Sequence, residues 1–454
     1  MASEPPEPPV SGQLPLSGES SEPPSPEPAG PAEAPRPVRP GRRSFLRGMA
    51  GGAVAGGIAG AAGEYAYRAS RPQPASAGEA LAPGTLPAVS FHGQHQAGIL
   101  PQPQRATTVV SFDATAENRS ELAELFRTVT SRARFLTAGG TPPAVGINGP
   151  PSDSGTLGPA VVPDGLTVTF GVGSTLFDDR YGLAAKLPSR LTPMRSFPND
   201  DLDPAQTGGD LILQLSAGDR DAVLHALRDI TKNTLGGMQV NWRMDGFASP
   251  PRPAGTVPRN NFGFMDGISN PDVRSAGQLD SLVWIRPGQA GEPAWAAGGS
   301  YFVVRLIRML IEFWDRVDIA EQEQMIGRRR ASGFPLDASS ISATPDYALD
   351  PTGDVIPLNA HMRLANPRTP QTASSRILRR SYNYDRGIDQ VGNLDVGLLF
   401  TCFQQDVQRQ FETVQTRLVS EPMIDYITPF GGGYFLALPG VVDGSDYLGR
   451  ALLT

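Results

Sequence analysis

Two stretches of this chain repeat one local order: an apolar strand, an acidic residue that can cap a helix, and an amphipathic helix. In the first, a strand over 210–216 precedes a helix that Asp219 caps and that continues through Ile230. In the second, a strand over 397–403 precedes a helix over 406–418. The two units share a layout but scarcely any identity. Apolar strands alternating with amphipathic helices form layered sheets, so the repeat predicts an α+β fold of two halves. Each half would be an antiparallel sheet with helices on one side.

The other predicted elements complete these halves, which we place at residues 85–260 and 261–454. Alternation and apolar runs predict strands over 107–112, 166–172, 238–244, 300–307 and 434–438, and helical spacing predicts helices over 116–136 and 319–326. Residues 139–164 and 182–207 are rich in Pro, Gly and Asp and predict long surface loops, which on such scaffolds are often functional.

Composition limits the class of protein. The 454 residues are long enough for two or three domains, and 39% hydrophobic residues suffice for a core. The net charge of −7 argues against nucleic acid or an anionic membrane surface as a partner. The single cysteine, Cys402, excludes an internal disulfide and any all-cysteine metal site.

The N-terminal region has the composition of an extension followed by a targeting signal. Residues 1–40 contain 13 prolines and almost no apolar periodicity, which predicts a disordered Pro/Glu-rich extension. Residues 41–77 then carry Arg42 and Arg43, the pair Phe-Leu, an Ala/Gly-rich stretch and the tripeptide Ala-Ser-Ala. This order resembles a twin-arginine export signal, although Gly41 stands where that pattern usually has Ser or Thr. We therefore expect export to the periplasm, the cell surface or the medium, with an uncleaved anchor and a plain basic linker as alternatives.

Four short motifs in the second half hold the candidate chemistry. They are NFGFMDGISNP at 261–271, AHMRLANPR at 360–368, RILRR at 376–380 and GNLDVGLLF at 392–400. In the first, glycines on either side of Asp266 let the backbone approach a flat or bulky partner while the acid points at it. Alone, this pattern is more typical of a tight turn, so its meaning depends on the other three.

Together these motifs resemble the dye-decolourising haem peroxidases, from about Pro87 to the C-terminus. The segments FHGQHQAGI at 91–99 and LRRSY at 378–382 are most similar to an exported deferrochelatase/peroxidase branch of that family. The resemblance implies two ferredoxin-like halves and one haem b per chain, held mainly by the second half. It also implies hydrogen peroxide and an organic electron donor as substrates. Twin-arginine export, which carries folded proteins, suits a protein that encloses a cofactor.

The resemblance assigns roles to individual residues. Among four histidines, His361 would bind the iron, and Asp395 is our candidate for the carboxylate that accepts a hydrogen bond from its second ring nitrogen. Asp266 would move the proton during peroxide activation, and Arg379 would stabilise the developing charge, with Arg380 as the alternative. Further expected haem contacts are Gly267, Ile268 and Ser269 against the haem face, and Asn366, Pro367 and Arg368 near the propionates.

Three functions remain open from the sequence. The first is an exported peroxidase that oxidises dyes or phenols, with electrons relayed through aromatic residues such as Trp284, Trp295, Trp314, Tyr382 or Tyr384. The second is a deferrochelatase that releases iron from haem for iron acquisition, which would bring in iron-uptake components as partners. The third is a haem-binding protein without turnover, which would not require Asp266 and Arg379 together. The sequence assigns no role to His92 or His95 and leaves a homo-oligomer open.

Overall fold

The computed structural model describes residues 85–454. The predicted extension at 1–40 and the predicted signal at 41–77 lie outside these residues. Within 85–454, every helix is too short or too polar to cross a membrane.

The elements of the first half are β1 (Ala106–Ala114), α1 (Arg119–Ala138), β2 (Thr167–Gly173), β3 (Leu211–Ala217), α2 (Arg220–Asn233) and β4 (Met238–Phe247). The second half begins with α3 (Ala276–Leu282), β5 (Ser300–Met309), α4 (Ile311–Trp314), α5 (Ile319–Ile326) and α6 (His361–Ala365). It ends with β6 (Leu378–Arg379), β7 (Tyr382–Ile388), β8 (Leu394–Gln404), α7 (Thr413–Leu418), β9 (Ile427–Ala437) and α8 (Arg450–Leu453).

Each half is a four-stranded antiparallel sheet with the same strand order. The first half has the order β4-β1-β3-β2, and the second has β9-β5-β8-β7, with β6 extending the edge along β8. This is the ferredoxin-like arrangement in both halves, as predicted. The halves also join edge to edge, which the sequence did not predict: β2 pairs with β9, and β4 meets β7 at Phe247 and Asn383. Eight strands therefore close into a ring.

The two faces of this ring bury different cores, because side chains alternate along each strand. On β5, Val304 and Leu306 belong to a core shared by both halves inside the ring. Arg305 and Ile307 point the other way, towards the helices of the second half, and line a cavity there. In the first half, the outer face instead packs against α1 and α2. This cavity thus lies where the first half has a core packed against helices.

Helix starts follow the acidic and amide caps in the sequence. The Asp219 side chain accepts a hydrogen bond from the backbone N–H of Asp221 (2.7 Å), as predicted for α2. The predicted helix over 319–326 is also present; Asp318 caps it, and Gly327 ends it in the left-handed region at φ +88°.

Several elements differ from the sequence prediction. Strands β6 and β7 are not predicted, because β6 has only two residues and β7 joins a short alternating stretch to the polar residues 385–386. Strand β9 begins seven residues earlier than predicted, since its glycines hide the apolar pattern. A Cβ at Gly432 would lie 2.0 Å from the carbonyl oxygen of Val304, so glycine is required for this pairing. The predicted helix over 406–418 starts as a π-helical turn, Gln408–Glu412, before α7.

Candidate active site

A single cavity collects most of the predicted site residues. Its volume is about 220 Å³. Strands β5 and β8 form one wall, helices α6 and α7 form another, and segment 260–269 closes a side. The lining is largely apolar, with Met265, Ile268, Ile307, Met309, Ile326, Leu398, Phe400, Val414, Leu418 and Met423 among its residues. Such a lining suits a large flat ligand with few polar contacts.

His361 begins helix α6 and presents its ring to this cavity. Its Nδ1 lies 2.6 Å from Oε2 of Glu421, a carboxylate that is only 3% exposed. Because an ionised carboxylate can only accept hydrogen bonds, Nδ1 carries the ring proton and donates a hydrogen bond to Glu421. The other ring nitrogen, Nε2, has no hydrogen-bond partner among residues 85–454 and is the one able to bind a metal.

The Glu421 carboxylate also sets the protonation of the imidazole. Burial disfavours the imidazolium, but the charge and hydrogen bond of Glu421 outweigh it, so the pKa of His361 is raised above 6.5 in the cofactor-free protein. A raised folded-state pKa stabilises the cofactor-free fold fully below the unfolded value. That contribution is lost as the pH rises through the raised pKa.

The prediction that Asp395 pairs with His361 is wrong. Asp395, on β8, instead forms an ion pair with Arg386 of the neighbouring strand β7 at 2.8 Å. The two strands are paired in this hairpin, so the acid and the arginine are held side by side. Glu421 takes the role. It lies 60 residues from His361, and no spacing rule connects the two, so sequence reasoning missed it.

Substituting Glu421 by glutamine tests this pair in the haem-free protein. Burial would remain while the carboxylate that outweighs it is removed, so we expect the pKa of His361 to fall below its ordinary value of 6.5. An NMR titration of the four imidazoles measures this directly, with the exposed His92 as the internal control. A His361 pKa that stays raised in the Glu421→Gln variant would contradict the assigned partner.

Asp266 and Arg379 meet on the same cavity wall. Nη1 of Arg379 lies 3.0 Å from Oδ1 of Asp266, and both side chains line the cavity. The same carboxylate oxygen accepts the backbone N–H of Gly267 at 2.7 Å. Gly267 has φ +89°, in the left-handed region that favours glycine, and this turn directs Asp266 into the cavity.

The alternation of β6 decides between the two candidate arginines. Leu378 faces the shared core, Arg379 faces the cavity, and Arg380 points away again. The Arg380 guanidinium is buried and donates to the carbonyl of Gly98 and, at 2.8 Å, to Oε1 of Gln104. Arg380 is therefore a structural residue, and Arg379 is the one placed for chemistry.

Three further arginines surround one end of the cavity without a carboxylate partner among residues 85–454. Arg328 and Arg376 line the cavity, and Arg368 lies beside them with its Nε buried and hydrogen-bonded to no described residue. Burial, Arg368 and Arg379 lower the pKa of Arg328 to about 10, and burial and Arg368 lower that of Arg376. This surplus of positive charge fits an anionic ligand, and the sequence motifs had indicated only Arg368.

The donor set fits haem. One imidazole nitrogen is free, the walls are apolar, and the cationic end matches two propionates. Within 85–454, no group of three or more His, Cys, Asp or Glu side chains could hold a metal ion, so an all-protein metal site is not formed there. Of the remaining predicted contacts, Ile268, Ser269 and Asn366 line the cavity, whereas Gly267 and Pro367 do not.

The other three histidines lie elsewhere. His92 accepts from Arg134 at the surface, and His95 stacks on Trp284 with ring centroids 3.8 Å apart. His225 is buried under loop 139–164, where its Nδ1 lies 2.8 Å from Oγ of Ser154. None of these three imidazoles lines the cavity, so His361 is the histidine placed there.

Comparison with known proteins identifies the family. The models described as "Dyp-type peroxidase, N-terminal" and "Dyp-type peroxidase, C-terminal" match residues 96–248 and 257–442. A deferrochelatase of Escherichia coli is 46% identical over 424 residues, which cover 91% of this chain and 97% of the relative. The chain belongs to the Dyp-type peroxidase family. Ferric DtpA from Streptomyces lividans has a similar structure, with a TM-score of 0.74, 35% identity and coverage of 82% of this chain and 98% of that one. A DyP-type peroxidase from Cellulomonas bogoriensis is also similar, with a TM-score of 0.72 and 36% identity. The match covers 82% of this chain and 99% of that one.

Membership of the Dyp-type peroxidase family confirms several predictions. The family resemblance, the pair of ferredoxin-like halves and the haem cofactor are as expected. The protein is an oxidoreductase of the haem peroxidase class, for which hydrogen peroxide and an organic electron donor are the substrates. The individual roles of Asp266, Arg379 and the other site residues stay predictions, now with a geometry that can be tested.

Proposed function

We propose that this protein is an exported Dyp-type peroxidase that reduces hydrogen peroxide with Asp266 and Arg379 and oxidises organic donors such as dyes or phenols. The observation that carries the proposal is the 3.0 Å ion pair between these two side chains on the wall of the cavity that His361 faces. A protein that only stored haem would need neither of them.

Each residue has a separate task. When bound, haem supplies the redox chemistry with peroxide. His361 would hold its iron through Nε2, while Glu421 keeps the proton on Nδ1 and makes the ring a stronger ligand. The Asp266 carboxylate would accept a proton from peroxide and return it to the departing oxygen. The Arg379 guanidinium would stabilise negative charge as the O–O bond breaks.

A deferrochelatase activity is the second candidate, because relatives of that name are 45–46% identical over almost their whole length. The two functions give different products from the same protein. We would incubate purified protein with haem under reducing and non-reducing conditions and measure free protoporphyrin by fluorescence. Oxidation of a phenolic donor with peroxide would be measured in parallel. Release of iron with an intact porphyrin, without donor oxidation, would favour the second candidate and bring in iron-uptake partners.

Export is testable separately. Replacing Arg42 and Arg43 together by lysine is expected to leave folded, haem-loaded protein in the cytoplasm, because the twin-arginine pathway reads that pair specifically. Fractionation of cells followed by haem staining and immunoblotting gives the distribution. Arg36→Lys with Arg39→Lys is a matched control with the same charge, and it should export normally. Normal export of the Arg42/Arg43 variant would point to a different route.

A further inference from the structure

We propose that Asn270 is a positioning residue for peroxide activation, acting as a clamp that fixes Arg379 relative to Asp266. The proposal rests on the function proposed above. Asn270 itself neither transfers the peroxide proton nor stabilises the developing negative charge. Asn270 lies in the same motif as Asp266, and its side-chain amide forms hydrogen bonds with the backbone of Arg379.

The contact is bidentate. Nδ2 of Asn270 donates to the carbonyl oxygen of Arg379 at 2.8 Å, and the backbone N–H of Arg379 donates to Oδ1 of Asn270 at 3.1 Å. One side-chain amide thus satisfies both polar groups of one peptide residue. Since the donor and acceptor on each partner match, this pair fixes both distance and orientation more tightly than one hydrogen bond.

Strand geometry explains why this position is open to a side chain. Along a strand, the backbone groups of successive residues point to opposite edges. The N–H of Arg380 bonds to Thr401 of β8 at 2.8 Å, so the N–H and carbonyl of Arg379 face the other edge. No strand covers that edge within residues 85–454. The Asn270 amide takes the place of a neighbouring strand at this one residue.

Asn270 is itself fixed to both catalytic segments. Its N–H donates to the carbonyl of Gly267 at 3.2 Å, which closes the turn that directs Asp266. Its carbonyl accepts from Nη2 of Arg376 at 3.2 Å, three residues before Arg379. The only covalent link between Asp266 and Arg379 is more than a hundred residues long. Asn270 is the short connection that holds their side chains at ion-pair distance.

The experiment compares two kinetic constants in holoprotein. Asn270→Ala removes the clamp, and Asn270→Asp keeps its shape but replaces the donor with an oxygen that faces the Arg379 carbonyl. We expect both to lower kcat/KM for hydrogen peroxide by about tenfold or more, because small misplacements of catalytic groups are costly. The kcat/KM for a phenolic donor, here guaiacol, should stay within about twofold of wild type, since donor oxidation does not use the clamp.

Gln96 offers a matched control. Its amide clamps the backbone of Phe170 in the same way, accepting from the N–H at 2.8 Å and donating to the carbonyl at 2.7 Å, but on β2 outside the cavity. Gln96→Ala should lower thermal stability without changing kcat/KM for peroxide. Equal losses in Gln96→Ala and Asn270→Ala would overturn the proposal, because they would reflect general loosening. So would loss of haem from both Asn270 variants while Gln96→Ala keeps it.

A double-mutant cycle separates this proposal from the proposed function. In an Arg379→Leu background, Asn270→Ala should cause no further loss in kcat/KM for peroxide, because the guanidinium that it positions is gone. A further loss of the same factor would overturn the clamp, as would wild-type kcat/KM in both single Asn270 variants. If instead Arg379→Leu alone left kcat/KM for peroxide unchanged, the proposed function itself would fail.

Discussion

Replacing Arg379 by leucine is expected to slow the reaction of the haem-loaded protein with hydrogen peroxide by about a hundred- to a thousandfold. One well-placed donor to a developing negative charge is typically worth about 3–4 kcal/mol in the transition state. Arg379 is the charged donor placed beside Asp266, and leucine keeps bulk without charge. Stopped-flow absorbance after mixing with peroxide, between pH 4 and 8, measures the rate. We also expect weaker peroxide binding in this variant.

Two comparisons make this result interpretable. Asp266→Asn keeps size and polarity but removes the base, so its rate loss should be greatest at pH values where the wild-type carboxylate is ionised. Arg132→Leu removes an arginine that pairs with Asp229 at 2.6 Å in the first half, and it should react normally. If the Arg379 and Asp266 variants both reacted at wild-type rates at every pH, the peroxidase mechanism would be wrong. Haem release or haem storage would then be the better candidates.

His361→Ala is expected to lose most of its haem during purification. Among the chain's four histidines, His361 has its ring in the cavity, and Glu421 holds that ring with Nε2 free. Alanine removes the iron ligand and leaves only the apolar walls and the arginines to retain the cofactor. The ratio of Soret to protein absorbance, with extracted haem as a second measure, gives the occupancy.

The control for this variant is His95→Ala, which removes an imidazole that stacks on Trp284 outside the cavity. That protein should purify with a full haem complement. A His361→Ala protein with full haem and an unchanged Soret band would show that His361 is not the ligand. His92 and His95 would then become the candidates despite their distance from the cavity lining.

Local patterns predicted those parts of the fold that depend on neighbours in sequence. The cap at Asp219, the helix over 319–326 and the strand on either side of Arg305 follow from side-chain periodicity and capping chemistry. The ring closure does not, since it depends on edge pairing between β2 and β9, about 260 residues apart. Periodicity describes each sheet but says nothing about which edges meet.

The site residues also fall into two groups, those that short motifs predict and those that only the fold brings together. His361, Asp266 and Arg379 lie within short motifs, so a resemblance could find them. Glu421 and Arg328 come to the cavity from separate segments that carry no such motif, and only the packing of α6 against its neighbours brings them there. The wrong prediction at Asp395 has the same origin, because Asp395 lies within one of the four motifs, whereas the strand pairing holds its side chain against Arg386.

Ring closure also determines when the cofactor pocket can form during synthesis of the chain. Strand β9 is the last strand within residues 85–454, yet it lies between β5 and β2, and its residues Ile427 and Pro429 line the cavity. Synthesis up to α7 therefore yields a complete first sheet, a second sheet that lacks β9, and no finished pocket. Closure of the ring and completion of the pocket wait for β9, so cofactor insertion follows the synthesis of that strand.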